Sequence, residues 1–209
     1  MIVPALLTHT KEEFKGMLSL CSEFTDFVQV DIMDGLFVSS RSITPIDIRN
    51  VATTMKTEAH LMVNKPLEYL DVFKNFGAHK IIFHFEIDED HRAIIQAIKG
   101  AGLEAGLAIN PYTQIADFNH LVDEVASILF MSVIPGFYGA AFVPEVLDKI
   151  VRFKKIYPAT PIGIDGGVKL DNVARIKEAG VDYLCVGSAI LKAKDPVDAY
   201  KKFVEACNE

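Results

Sequence analysis

The feature that most constrains this chain is a phrase it repeats. Residues 75–83 read NFGAHKIIF, residues 100–109 read GAGLEAGLAI and residues 178–187 read EAGVDYLCVG. In each, a glycine ends a helical stretch and an apolar run follows within a few residues. Glycine at that place accepts the left-handed conformation that closes a helix, and short helix-to-strand loops belong to α/β units. Apolar runs at 2–7, 27–33, 57–62, 80–84, 104–109, 127–133, 161–165 and 183–187 read as strands, short and mostly apolar as strands buried on both faces should be. Helical patterns separate them. Val143, Val146, Leu147, Ile150, Val151 and Phe153 keep helical spacing through 143–156. Thr10 to Glu13 fits a capping box that starts the first helix, and Asp195-Pro196 starts the last one. Eight strand–helix units in 209 residues average roughly 26 each, lean but adequate for an α/β chain folded as one (β/α)8 TIM barrel over 1–209. A doubly wound open sheet is the alternative, but it usually carries a glycine-rich turn after its first strand, where this chain has ALLTHT.

One strand does not look like the rest. VQVDIMDG (28–35) is apolar enough to be buried, yet strand alternation puts Val28, Val30 and Ile32 on one face and Gln29, Asp31 and Met33 on the other. A buried carboxylate costs several kcal/mol, by order of magnitude, unless it is paired or holds a metal. Other strands carry polar groups near the same end. EAHLMV puts Glu58, His60 and Met62 on one face, and PIGIDGG does the same with Gly163 and Asp165. In a barrel the C-terminal strand ends form the chemical mouth. Asp31, His60 and Asp165, with Gln29 as a fourth candidate, can therefore converge on one divalent ion, and imidazole with carboxylate suits zinc or another first-row metal. Glu58 lies deeper and reads as a core ion-pair partner. His84 ends its strand within reach of the mouth, with a structural role equally open. His9, His79, His91 and His120 fall in loops or helices and read as surface residues.

Three glycine-bearing loops follow the last three strands: PGFYG (135–139), DGG (165–167) and VGSAI (186–190). The last two stand where barrels often hold phosphate on backbone N–H groups.

The remaining composition excludes several classes. Three cysteines, Cys21, Cys185 and Cys207, are far apart and form no C-x-x-C pair, so neither a disulfide framework nor a zinc finger is suggested. A net charge of −7 without a basic cluster argues against a nucleic-acid partner. No apolar run approaches the roughly 20 residues that span a bilayer. The opening MIVPALLTHTKEEF has no basic region followed by a long apolar stretch, which reads as mature, cytoplasmic protein.

Taken in order, VDIMDG, AHLMV-NKP, MSVIPGFYG, IDGGV and VGSAI resemble the ribulose-phosphate 3-epimerases over nearly the whole chain. The resemblance implies a (β/α)8 barrel that interconverts ribulose 5-phosphate and xylulose 5-phosphate. It implies that Asp31 and Asp165 face each other across the substrate as acid and base and also bind the metal. Met33, Met62 and Met131 would line the reacting carbons, with His60 among the substrate contacts. Gly136, Phe137, Tyr138, Gly139, Gly166, Gly167, Gly187 and Ser188 would form the substrate and phosphate loops. A homo-oligomer is implied as well. The departures are specific. The family's metal-binding histidine is Gln29 here, its serine after the first-strand proline is Ala5, and Leu36 and Tyr138 alter two loops. Zinc is the ion expected, with manganese or magnesium open because an amide oxygen is a neutral, hard donor. Two alternatives follow from the departures: an epimerase of another ketose phosphate, such as a six-carbon one, or a phosphosugar-binding relative with little catalysis.

Overall fold

The computed structural model describes residues 1–136 and 141–208. Its strands are β1 (Ile2–Leu6), β2 (Phe27–Met33), β3 (Lys56–Met62), β4 (Lys80–His84), β5 (Glu104–Ile109), β6 (Ser127–Met131), β7 (Ile162–Asp165) and β8 (Tyr183–Val186). Each pairs in parallel with its neighbours in sequence, and β8 pairs with β1 to close a barrel. That closure excludes the open doubly wound sheet. The glycines of the repeated phrase, Gly77, Gly102 and Gly180, all hold positive φ (90°, 84° and 92°), the left-handed turn that releases the chain from helix to strand.

Alternation along the strands sorts the core into two layers. Val28, Val30 and Ile32 pack outward with the helices, while Ala5, Phe27, Ile82, Leu129, Met131 and Cys185 fill the barrel. Gly163 lacks a side chain because Tyr183 occupies the space: a Cβ there would lie 2.3 Å from the tyrosine ring.

Helix boundaries follow their caps. Thr10 accepts from the Glu13 N–H, but the Glu13 carboxylate accepts from the His9 N–H, 2.7 Å away, so the expected box closes one residue early. Asp195 accepts from the Asp198 N–H at 3.0 Å, capping the last helix as expected. The helix expected over 143–156 runs Glu145–Ile156, with Pro144 at its N-cap and the Val143 N–H bonded to the Ser132 carbonyl. Among the described residues no helix is long and apolar enough to cross a membrane.

Candidate active site

Parallel register brings the polar strand residues to one level. Asp31 on β2 stands opposite His60 on β3, Met33 opposite Met62, and on the far side Asp165 of β7 lies between Met131 and Cys185. Ser132, just past β6, holds the end of β7 by donating its N–H (2.7 Å) and its hydroxyl (3.0 Å) to the Asp165 carbonyl. His60 Nδ1 then sits 3.1 Å from Asp31 Oδ1 and 3.3 Å from Asp165 Oδ2. All three side chains are buried, and their donor atoms lie within 4.8 Å of one another.

Two carboxylates this close and this dry repel. Burial first, and the neighbouring Asp165 charge second, raise Asp31 to a pKa of about 6, against the pull of His60 and Gln29. His60 is pushed down by burial, but its hydrogen bonds and charge contacts with Asp165 and Asp31 outweigh that and raise it to about 9. The cluster thus draws a positive charge into the space between its carboxylates. One imidazole nitrogen and two carboxylates are also a donor set that suits a catalytic divalent ion with open positions, so these residues fit a divalent metal.

Gln29 belongs to this cluster in a way its position alone did not reveal. Its Nε2 donates to Asp31 Oδ1 (2.8 Å) and Asp165 Oδ2 (2.6 Å), and its Oε1 accepts from the Cys185 thiol (3.0 Å). The partners decide this orientation, since an amide oxygen turned to the carboxylates would face only acceptors. An amide nitrogen has no lone pair to offer a metal. In this arrangement Gln29 bridges the two aspartates, and ligation would need a half-turn of the amide.

Above the cluster opens a cavity of 810 Å³. Met33, Met62 and Met131 form buried apolar wall, and Gly136, Gly166, Gly167, Gly187 and Ser188 lie on the same cavity. Gly166 has φ 102°, and a Cβ there would lie 2.3 Å from Val133. Phe137, Tyr138 and Gly139 lie outside the described residues. Sequence reasoning passed over Lys169 and Arg175, two exposed cations on the rim of the cavity beside the DGG loop. Nothing but their place after that loop could have singled them out.

The remaining expectations divide. Glu58 is buried with Lys80 Nζ 2.7 Å from its Oε2, the ion pair expected of it. His9 and His120 are exposed, but His79 and His91 are half-buried: His79 sets its ring edge on Phe27, and His91 lies flat on Phe85. His84 is wholly buried, its Nε2 2.9 Å from His60 Nε2. The signal for it was present, because Lys80, Ile82 and His84 alternate inward just as Glu58 and His60 do.

Residues 1–191 match the ribulose-phosphate 3 epimerase family. The chain belongs to that family. It is therefore an epimerase, an isomerase of carbohydrates. It is 37% identical over 177 residues to the ribulose-phosphate 3-epimerase of Serratia marcescens, covering 81% of this chain and 84% of that one. Its identity to the Helicobacter pylori J99 enzyme of the same name is 30% over 204 residues, covering 93% and 92%. Among solved structures, 3-hexulose-6-phosphate synthase from Salmonella typhimurium superposes with a TM-score of 0.74 over 99% of this chain and 98% of that one, at 17% identity, a likeness of fold. The family match spans every element that supplies Asp31, His60 and Asp165.

Proposed function

We propose that the chain is a metal-dependent 3-epimerase of a phosphorylated ketopentose, interconverting ribulose 5-phosphate and xylulose 5-phosphate. The observation that carries this reading is the pair of buried carboxylates, Asp31 and Asp165, held on one cavity with His60 between them. One aspartate takes the C3 proton, which is acidic because it lies beside the C2 carbonyl, and the electron pair moves into an enediolate. The other gives a proton to the opposite face of C3, inverting it. A group that must both take and give a proton works best near the operating pH, and the elevated Asp31 is tuned in that direction. Gln29 N–H bonds hold both carboxylates in place. The divalent ion that Asp31, His60 and Asp165 would hold supplies positive charge beside the enediolate oxygens, and this donor set favours zinc over manganese or magnesium. The three methionines exclude water from the reacting carbons. The phosphate docks at Gly166, Gly167, Gly187 and Ser188, with Lys169 and Arg175 drawing it in.

A six-carbon ketose phosphate is the second reading, supported by Ala5, which lines the cavity with a smaller side chain than the family's serine. The test is solvent-deuterium exchange at C3 with both sugars, alongside metal analysis. Exchange should be fastest with ribulose 5-phosphate. Faster exchange with the longer sugar would move the assignment to it, and binding without exchange would end the catalytic reading.

A further inference from the structure

His60 is the one imidazole in the candidate metal cluster, and a metal can use only the ring nitrogen that carries no proton. What decides which nitrogen that is? Its far nitrogen, Nε2, faces His84 Nε2 at 2.9 Å. The ring centroids are 5.1 Å apart and the planes are inclined by 28°. The centroid separation exceeds the nitrogen separation by about one ring diameter, so the rings meet head-on and nearly coplanar, the alignment a strong hydrogen bond prefers. A proton must lie between the two nitrogens, and only one of them can own it.

Ownership is settled one step further out. His84 Nδ1 is 3.3 Å from Glu86 Oε2. The other carboxylate oxygen, Oε1, already accepts from the Asn110 N–H (2.8 Å) and the Thr113 hydroxyl (2.6 Å). That loop is itself fixed by the buried Lys149, whose ammonium donates to the carbonyls of Asn110, Pro111 and Thr113. An ionised carboxylate only accepts, so His84 carries its proton on Nδ1. A neutral His84 then presents a lone pair at Nε2, and the proton between the rings belongs to His60.

We infer that Glu86 and His84 are positioning residues that lock the Nε2–H of His60, leaving Nδ1 as the only nitrogen that can bind a divalent cation between Asp31 and Asp165. Metal-binding histidines commonly donate their second N–H to a fixed acceptor. Here the acceptor is a second imidazole oriented by a carboxylate. The inference deepens the proposed function, since it rests on the same cation site. It also explains why β4 spends its last inward position on a wholly buried histidine.

The chain of bonds can be cut, preserved or reversed. His84→Phe removes the acceptor. His84→Gln can return one through its amide oxygen. Glu86→Gln reverses the direction: its oxygen stays with Asn110 and Thr113, its NH₂ turns to His84 Nδ1, and His84 must carry its proton on Nε2, facing that of His60. Zinc titration against a competing chelator, on folded full-length protein, should show affinity falling about 10- to 100-fold in His84→Phe and Glu86→Gln and staying within a few fold in His84→Gln. Nitrogen NMR of histidine-labelled, zinc-loaded wild type should find the His60 proton on Nε2. Equal affinity in all four proteins, or that proton found on Nδ1, overturns the inference. Should His84→Phe fail to fold, Glu86→Gln and the wild-type spectrum decide. C3 exchange assayed in parallel separates the two claims. A chain that follows the zinc series but never exchanges C3 retains the positioning role and loses the epimerase assignment. A chain that exchanges C3 while its zinc affinity ignores these substitutions does the reverse.

Discussion

The two ends of the barrel interior bury charge in opposite ways. At the closed end, Glu58 and Lys80 form one negative and one positive charge 2.7 Å apart, with the ammonium also 4.9 Å from the Tyr183 ring centroid. At the open end, two residues further along β3, His60 meets two carboxylates. The lower pair cancels its own charge. The upper group does not: the Asp165 charge adds to burial in raising Asp31, and contacts with the two carboxylates outweigh burial to raise His60. A buried ion pair with its charges matched has no need of a ligand. A buried cluster with an excess of carboxylate does, and that difference separates a structural ion pair from a chemical site within a single strand.

The largest effect should come from the upper cluster. Asp165→Asn keeps the shape and one oxygen but cannot move a proton. Turnover should fall by about 10²- to 10⁴-fold, the usual acid–base contribution, while circular dichroism and sugar-phosphate binding stay near wild type. Activity within a few fold of wild type would remove Asp165 from the acid–base role.

The lower pair should answer in stability instead. Lys80→Met leaves Glu58 alone in the core, and breaking a buried pair typically costs about 3–5 kcal/mol. Burial already raises the Glu58 pKa, with Lys80 opposing, so the variant should keep Glu58 protonated and lose least at low pH. Adding Glu58→Leu should recover most of the loss, because well-packed apolar replacements of such pairs are often neutral or better. Turnover per folded molecule should stay near wild type in both. Urea unfolding with parallel kinetics tests this, and a collapse in turnover of folded protein would mean that the two ends are not independent.

A smaller effect is expected at Gln29, where the two ends come closest, since it stands opposite Glu58 in register yet bonds upward to both aspartates. Gln29→His exchanges an amide that offers N–H groups for an imidazole that offers a lone pair. Zinc affinity should rise about tenfold or more, the scale of a change in the ligand surroundings. Unchanged affinity would place residue 29 away from the ion.

Much of this was open to sequence reasoning, for physical reasons that also mark where it stops. Strand alternation is strict, so Asp31, His60 and Asp165 could be aimed at one mouth before their distances were known. The helix-closing glycines set the rhythm of the barrel because few other residues accept their φ. What alternation does not encode is which atom of a side chain faces a neighbour on another strand. Gln29 could be placed in the cluster, but its NH₂-inward orientation depends on Cys185, 156 positions away in the chain. His84 needed its partner His60 before its role could be read. The cations Lys169 and Arg175 lie on an irregular stretch and a short helix around the DGG loop, where no periodicity points at the cavity.

The smallest effect belongs to His79, below the lower pair. Its ring edge lies on Phe27, 5.2 Å between centroids, and its Nδ1 donates to the Thr57 carbonyl at 2.6 Å. Burial lowers its pKa to about 4; the Thr57 carbonyl opposes that shift, and the Lys56 and Lys80 charges add to it. In the unfolded chain a histidine titrates near 6.5. Between pH 6.5 and 4 the unfolded state therefore binds more protons, and stability falls as pH drops through that window. Above 6.5 the group contributes no slope. His60 has the opposite sign: its pKa is raised to about 9, so its contribution is full below 6.5 and is lost as pH rises through 9. His79→Asn keeps a donor for Thr57 but removes the titration. Urea unfolding of chelator-treated protein should give parallel stability curves above pH 6.5. Below it, wild type should lose on the order of 1 kcal/mol more than the variant, once solvent screening of a half-buried group is allowed for. Curves parallel down to pH 4 would mean that His79 titrates as it does in the unfolded chain, and that the closed end of the barrel holds its charges less tightly than its geometry implies.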